Sequence, residues 1–179
     1  MYKKCIKRLL DFVFGILFLI ILSPIFLLLL ILVKIDQRGK PLFKQPRIGL
    51  NKKRFTIYKF KTMTNNIKKD YISRTTKFSR FLNRTGFDEL PQLINIIKGD
   101  MSFIGPRPFI ITEKLPIRPD DKLFEVRPGL SGMAQANGRR KLTHKKRLEY
   151  DYYYIDNMNL LLDIKIFFKT FFNIFRKGE

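Results

Sequence analysis

Cysteine and histidine are almost missing from these 179 residues: Cys5 and His144 are the only ones. One thiol allows no disulfide framework and no cysteine metal cluster, and one imidazole excludes multi-histidine metal centres. A histidine-based triad would depend on His144, which opens the basic run Lys145-Lys146-Arg147. Cys5 reads as a buried thiol, with lipidation as the alternative. Acidic residues are scarce, 15 against 36 Lys and Arg, so carboxylate chemistry has few places to reside. Neither G-x-x-x-x-G-K-[ST] nor G-x-G-x-x-G occurs, so a P-loop or a dinucleotide fingerprint does not handle phosphate here. There is no internal repeat or low-complexity tract. The length holds one domain of about 145 residues beside an apolar segment.

That apolar segment runs for 22 residues, from Phe12 to Val33, with Ser23-Pro24 near its middle. At about 1.5 Å per residue, a helix of this length just crosses a bilayer core. Proline inside a helix removes a backbone hydrogen bond and clashes with the carbonyl four residues back, here Ile20, at a cost of roughly 3 kcal/mol. It also steers Ser23 out of the α region. The run therefore reads as two halves, residues 12–22 and 25–33, joined at a bend where the Ser23 hydroxyl can serve a freed carbonyl. Lys3, Lys4, Lys7 and Arg8 precede it, and Lys34, Arg38, Lys40 and Lys44 follow, against only Asp11 and Asp36. The positive-inside rule holds both flanks in the cytoplasm. A re-entrant helix bent at Ser23-Pro24 satisfies this; a single-pass anchor, the rival reading, must export one flank. The run is too long for a cleaved signal peptide and lacks a small-residue cleavage site.

The net charge of +21 points to nucleic acid, an anionic membrane surface or phosphorylated substrates. Beside an apolar anchor the anionic cytoplasmic leaflet is the simplest partner, at ~1 kcal/mol for each basic residue near it. No nucleic-acid-binding motif is present, and the phenylalanines concentrate in the anchor and the C-terminal run, so nucleic acid is not expected as a partner.

Residues 41–63 read as short extended segments around turns: Pro41-Leu42-Phe43, Pro46-Arg47-Ile48-Gly49, and Phe55-Thr56-Ile57-Tyr58-Lys59-Phe60. Residues 65–76 are polar without periodicity, a surface loop, and 77–82 a short helix. Leu90, Leu93, Ile94 and Ile97 fall at i, i+3, i+4, i+7 and predict a helix over 88–97, with Asp88 as N-cap, Pro91 in the first turn and Gly99 as stop. Proline-rich loops continue to Pro119, and Pro128-Gly129 and Gly132 punctuate another loop to Gly138. Residues 160–175 predict an amphipathic helix. Lys165, Lys169, Asn173 and Arg176 form one narrow polar stripe on it, and Phe167, Phe168, Phe171, Phe172 and Phe175 fill the wide remainder. That apolar arc belongs either to a core or to a membrane interface.

Two constellations suit phosphate chemistry. Asp88-Glu89 stands at the start of a predicted helix, whose free N–H groups and dipole favour anions; a plain helix cap is the alternative. Gly105-Pro106-Arg107-Pro108 confines an arginine between two residues of fixed φ, offering a pre-placed planar fork; a solvated turn arginine is the alternative. Arg127-Pro128-Gly129 and Gly138-Arg139 repeat the pattern.

The stretch Arg84-Thr85-Gly86-Phe87-Asp88-Glu89-Leu90-Pro91-Gln92-Leu93 through Lys98-Gly99-Asp100-Met101-Ser102-Phe103-Ile104-Gly105-Pro106-Arg107-Pro108 resembles the signature of the bacterial sugar transferase family, the monotopic phosphoglycosyl transferases. Tyr58-Lys59-Phe60-Lys61-Thr62-Met63 matches as well, as do Arg127-Pro128-Gly129-Leu130-Ser131-Gly132 with Gln135, Asn137-Gly138-Arg139 and the Ser-Pro-bent helix. The resemblance runs in order over nearly the whole chain. Gly86-Phe87 departs from the family's usual serine or asparagine followed by leucine or isoleucine, which bears on the loop more than on the chemistry. The chain is similar to the short catalytic form, such as the diacetylbacillosaminyl-phosphate transferases, without a multi-span N-terminal region.

The resemblance implies a mostly helical α+β monotopic membrane protein. Residues 1–40 would form the re-entrant helix and its basic flanks, and 41–179 a small cytoplasmic catalytic domain with short strands and amphipathic interfacial helices. It implies Asp88 as a nucleophile that takes a sugar phosphate from a UDP-sugar, releases UMP and hands the phosphosugar to a polyprenyl phosphate. Repulsion between a carboxylate and a diphosphate, ~4 kcal/mol per like pair at ~4 Å near a protein surface, calls for Mg²⁺ held by Asp88 and Glu89 with substrate phosphates. Lys59, Arg84 and Arg107, then Arg127, Gln135 and Arg139, are the implied phosphate and nucleotide ligands. The implied setting is the cytoplasmic face of a bacterial inner membrane, with both termini cytoplasmic, anionic lipid at the surface and downstream glycosyltransferases as partners. A non-enzymatic, single-pass, lipid-binding scaffold is the rival, and it needs neither Asp88 nor Glu89.

Overall fold

A computed structural model describes residues 2–64, 70–110, 122–138 and 142–176. A π-helical turn, Tyr2–Ile6, leads into α1 (Lys7–Ile21), and α2 (Ser23–Asp36) follows after Leu22 alone. The two helices bend by 65°. The bend falls where Ser23-Pro24 predicts it: Pro24 occupies the first turn of α2, where a missing N–H leaves nothing unpaired. The Ser23 hydroxyl donates to the Ile20 carbonyl at 2.7 Å. No single helix among the described residues is long and apolar enough to cross a membrane, whereas the bent pair taken together is.

One face of the bent pair is bound to the rest of the protein. Phe18 and Leu22 pack on Ile57, Leu93, Ile96 and Met101; Leu29 and Val33 pack with Phe60 and Leu82. A Cβ on Gly15 would meet Ile97 Cγ1 at 3.1 Å, so glycine is what lets α1 approach so closely. The opposite face exposes Leu9, Val13, Leu17, Ile20, Leu27, Leu28, Ile31 and Ile35. The charges before the run are not all a solvated flank. Lys7 is buried in an ion pair with Asp163 at 2.5 Å. Arg8 donates to the Ile96 and Ile97 carbonyls at 2.6 and 2.7 Å, and Asp11 accepts from Ser102 Oγ at 3.1 Å and the Phe103 N–H at 3.0 Å. Cys5, in the π-helical turn before α1, is exposed, not buried.

The strands are β1 (Leu42–Ile48), β2 (Arg54–Phe60), β3 (Ser102–Ile104), β4 (Phe109–Ile110) and β5 (Gly129–Ser131). β1 and β2 form an antiparallel hairpin from Leu42↔Phe60 to Ile48↔Arg54, and β4 joins β1 to give the order β2-β1-β4. β3 and β5 pair in parallel as a second small sheet. The remaining helices are α3 (Tyr71–Arg74), α4 (Lys77–Thr85), α5 (Gln92–Lys98), α6 (Met133–Asn137), α7 (His144–Asp156) and α8 (Leu160–Arg176).

Several local expectations change. The polar stretch before α4 contains the helical turn α3, its residues 65–69 lying outside the described set. α4 runs on to Thr85: Thr76 Oγ1 caps it by accepting from the Ser79 N–H, and Gly86 closes it at φ 80°, a conformation that favours glycine. Asp88 is not an N-cap. Residues Phe87–Glu89 form a 3₁₀ turn and α5 begins only at Gln92, so the Asp88 side chain turns inward. Of the proline-rich loops, Phe109–Ile110 pair as β4 and 111–121 lie outside the described residues. The loop expected to Gly138 holds β5 and α6. His144 belongs to the first turn of α7, a helix whose dense Lys, Arg and Tyr content hides its apolar period.

Of the two settings open to its phenylalanine arc, core or interface, α8 does not place the arc in the core. Its buried seam is Asp163 and Ile166, joined by Thr170 and Asn173: Thr170 Oγ1 bonds Ser131 Oγ at 2.7 Å, and Asn173 donates to the Ala136 carbonyl at 2.8 Å. Lys169 donates to Asn137 Oδ1 at 2.6 Å. Ile166 in the core and Leu162 packed against it, together with these polar bonds, hold α8 to the domain while Phe167, Phe168, Phe171 and Phe172 face outward. The Phe175 and Arg176 side chains lie outside the described set.

Candidate active site

The site is built where the β1–β2 hairpin meets the turn before α5. Buried Asn95 of α5 sets that junction: its Nδ2 donates to the Thr56 carbonyl at 2.7 Å and its Oδ1 accepts from the Tyr58 N–H at 3.2 Å. Clamping α5 to β2 in this way brings Lys59 over the Asp88-Glu89 turn. Lys59 Nζ lies 2.5 Å from Glu89 Oε1 and 3.8 Å from Asp88 Oδ2. Lys59 and Glu89 border an open cleft of about 240 Å³ that is lined also by Arg47, Gln92, Arg107, Gly129, Leu130 and Gln135, with Asp88 buried behind Glu89 and Lys59.

Arg107 is exposed on the rim. Its loop is held from behind by Arg47, buried on β1, which donates to the Pro108 carbonyl at 3.0 Å and to Gln45 Oε1 at 2.7 Å. Gly105 and Gly129 cross backbone to backbone: a Cβ on Gly105 would sit 2.5 Å from the Arg127 carbonyl oxygen. Only glycine permits that approach, and it sets the Arg107 loop against the loop before α6.

Asp88 is 8 % exposed. Burial, and then the neighbouring Glu89 carboxylate, push it up to about 6; Lys59, its own backbone N–H and Arg107 pull the other way. An aspartate in this setting is ionised at neutral pH yet poorly solvated, which favours a nucleophile. Among the described residues no three His, Cys, Asp or Glu side chains cluster as a metal cage. Two adjacent carboxylates instead match a divalent cation whose coordination is completed by substrate phosphates.

The structure brings together Asp88, Glu89, Lys59, Arg107 and Gln135 of the residues nominated by sequence. Arg84 is exposed in the last turn of α4 and does not line the cleft. Arg127 donates to the Gly99 carbonyl at 2.8 Å, at the far end of α5. Arg139 lies outside the described residues. Ser23 and Pro24 form the bend between α1 and α2. Sequence reading missed Arg47 and Gln92 as cleft residues. Gln92, the first residue of α5, lies inside the motif that carries Asp88 and Glu89 and could have been nominated from it; Arg47 carried no such signal, because its face is set by the β1–β2 register.

A family described as bacterial sugar transferase matches residues 2–177. An uncharacterized sugar transferase, EpsL, of Bacillus subtilis (strain 168) is 40% identical over 169 residues, covering 90% of this chain and 83% of the relative. A UDP-glucose:undecaprenyl-phosphate glucose-1-phosphate transferase of Klebsiella pneumoniae is 37% identical over 185 residues, covering 94% of this chain and 40% of the relative. The exopolysaccharide production protein ExoY of Sinorhizobium fredii (strain NBRC 101917 / NGR234) is 36% identical over 188 residues, covering 92% and 83%. The chain thus spans most of the shorter relatives and about 40% of the longer one.

Proposed function

We propose that this chain, which belongs to the bacterial sugar transferase family, moves a sugar-1-phosphate from a UDP-sugar to undecaprenyl phosphate with release of UMP. The observation that carries the reading is the buried Asp88 carboxylate, flanked by Glu89 and Lys59 in a cleft rimmed by Arg107. Asp88 attacks the β-phosphorus, and the bond from that phosphorus to the bridging oxygen breaks. UMP leaves with the electron pair, and an aspartyl phosphosugar remains. An oxygen of the lipid phosphate then attacks the same phosphorus and frees the Asp88 carboxylate. Lys59 and Arg107 neutralise the diphosphate as Asp88 approaches, the type of pre-placed charge that contributes most to such transfers. Asp88 and Glu89 would hold Mg²⁺ against the substrate phosphates, where it supplies charge neutralisation.

The same reading sets the protein in one leaflet. The 65° bend, the apolar outer face of α1 and α2, and the outward phenylalanines of α8 suit a helix pair that dips into the cytoplasmic leaflet of the inner membrane while α8 lies in the interface. Both termini are then cytoplasmic, and the cleft can receive a soluble nucleotide and a membrane-bound phosphate. The resulting lipid-linked sugar would feed downstream glycosyltransferases.

The test is a lipid-free burst. Purified protein, Mg²⁺ and the correct UDP-sugar should give UMP stoichiometric with enzyme and a quench-stable labelled protein, both lost on chelation. UMP that appears only after undecaprenyl phosphate is added, with no labelled protein, would make Asp88 a ligand and not the nucleophile.

A further inference from the structure

We propose that Gln92 and Gln135 form a sugar-reading pair in the Asp88 cleft, Gln92 donating to one hydroxyl oxygen of the transferred sugar and Gln135 accepting from a hydroxyl. Gln92 is 2 % exposed, lines the cleft, and its Nε2 has no partner. Gln135 Nε2 donates to the Leu130 carbonyl at 3.4 Å, and its buried Oε1 is also without a partner. Room for that oxygen depends on Gly132, where a Cβ would sit 2.7 Å from it. Native proteins leave few buried polar atoms unpaired, at ~1–3 kcal/mol each, and here two of opposite polarity line one cleft.

Their polarity selects the ligand. A phosphate at neutral pH offers acceptors only, so it cannot satisfy Gln135 Oε1. The phosphates already face the charged donors Lys59 and Arg107, beside which a neutral carboxamide adds little. A hydroxyl is both donor and acceptor. One free amide N–H and one free amide oxygen therefore match the hydroxyls of a hexose bound next to Asp88. Such a site rejects a sugar that lacks the hydroxyl, because the protein atom is left buried and unpaired.

The inference rests on Asp88 accepting a phosphosugar, and its test separates the two. Lipid-free UMP burst rates are measured for wild type, Gln92→Met and Gln135→Met with UDP-glucose, UDP-galactose, their N-acetyl counterparts and monodeoxy analogues of the preferred sugar. Wild type should lose about 10- to 100-fold when one particular hydroxyl is deleted. Each variant should lose a similar factor on the parent sugar and almost nothing further on one deoxy analogue. A variant that merely folds less well loses the same factor on every sugar, so the ratio between sugars is unaffected by folded fraction. Wild-type turnover with equal losses across the series for either variant overturns the pair; this includes the case in which Gln135 reads the uracil ring. No UMP from wild type with any of these nucleotides overturns the proposed function, and the pair with it.

Discussion

Lys59 Nζ stands 2.5 Å from Glu89 Oε1 and leans toward its sequence neighbour, 3.8 Å from Asp88 Oδ2. One cation thus serves two adjacent carboxylates unequally. Glu89 receives the close charge-assisted bond and lines the cleft, while Asp88 is buried beside it. The asymmetry ties Lys59 to Glu89 more closely than to Asp88.

The wild-type burst rate should fall tenfold per pH unit below about 6, where Asp88 takes up its proton, and level off above. Lys59 lowers the Asp88 pKa, so Lys59→Met should move that acid limb upward by about 1–3 units as well as lowering the plateau. A limb that stays in place while the plateau falls would mean that Lys59 acts only on substrate.

Asp88→Asn should abolish turnover and raise stability. The folded-state pKa of Asp88 is raised, so its stabilising contribution is full below about pH 4 and is lost as pH rises through about 6. At neutral pH the ionised carboxylate costs on the order of 3 kcal/mol, at ~1.4 kcal/mol per pH unit. Thermal unfolding at pH 7.5 should show Asp88→Asn melting several degrees above wild type, and the gap should narrow markedly by pH 4.5. Equal melting at both pH values would remove the buried-charge account of this residue.

Asp163, another buried carboxylate, serves architecture. Lys7 reaches it at 2.5 Å, Tyr154 donates at 2.7 Å, and Tyr2 donates as well, so α8 is tied to the start of α1. Asp163→Leu leaves the Lys7 charge buried and unpaired, at about 3–5 kcal/mol. The double variant with Lys7→Met should return much of that. A denaturation cycle in which the two losses simply add would show that the pair is not coupled.

Legibility from sequence followed the range of the interactions. The bend at Ser23-Pro24 was readable because proline acts on its own helix, four residues back. Asp88, Glu89, Lys59 and Arg107 were readable as motifs, but what surrounds Asp88 was not. Its 3₁₀ turn is set by Gly86 in a left-handed conformation, and its burial by the β1–β2 hairpin 30 residues earlier in the chain. The basic residues Lys7 and Arg8 read only as a topological flank because their partners, Asp163 and the Ile96 and Ile97 carbonyls, are far away in sequence. α8 shows the limit of periodicity. Its wheel gives an apolar arc and a polar stripe, but the packing of Ile166, Asn173 on Ala136 and Thr170 on Ser131 decides which seam faces inward and leaves the phenylalanines outside.

The bend itself yields the last prediction. The Ser23 hydroxyl returns a hydrogen bond to the Ile20 carbonyl at 2.7 Å, and Pro24 prevents the continuous ladder that would straighten α1 and α2 into one rod. A straight rod of this composition is long enough to span. With Pro24→Ala the chain can regain the missing hydrogen bond, and the apolar residues Leu27, Leu28 and Ile31 would then gain by continuing across the bilayer. The cost lies in the contacts of Leu29 and Val33 with Phe60 and Leu82, which a straightened helix must give up. The two effects oppose each other, so the expected outcome is a mixed population. Single cysteines at residues 2 and 179, in a Cys5→Ser background, should both resist a membrane-impermeant reagent in intact cells. Adding Pro24→Ala should expose one end in a fraction of molecules, and Ser23→Ala alone should not, since it removes the local bond while the proline remains. Labelling of either end in the Pro24 protein would exclude the re-entrant topology.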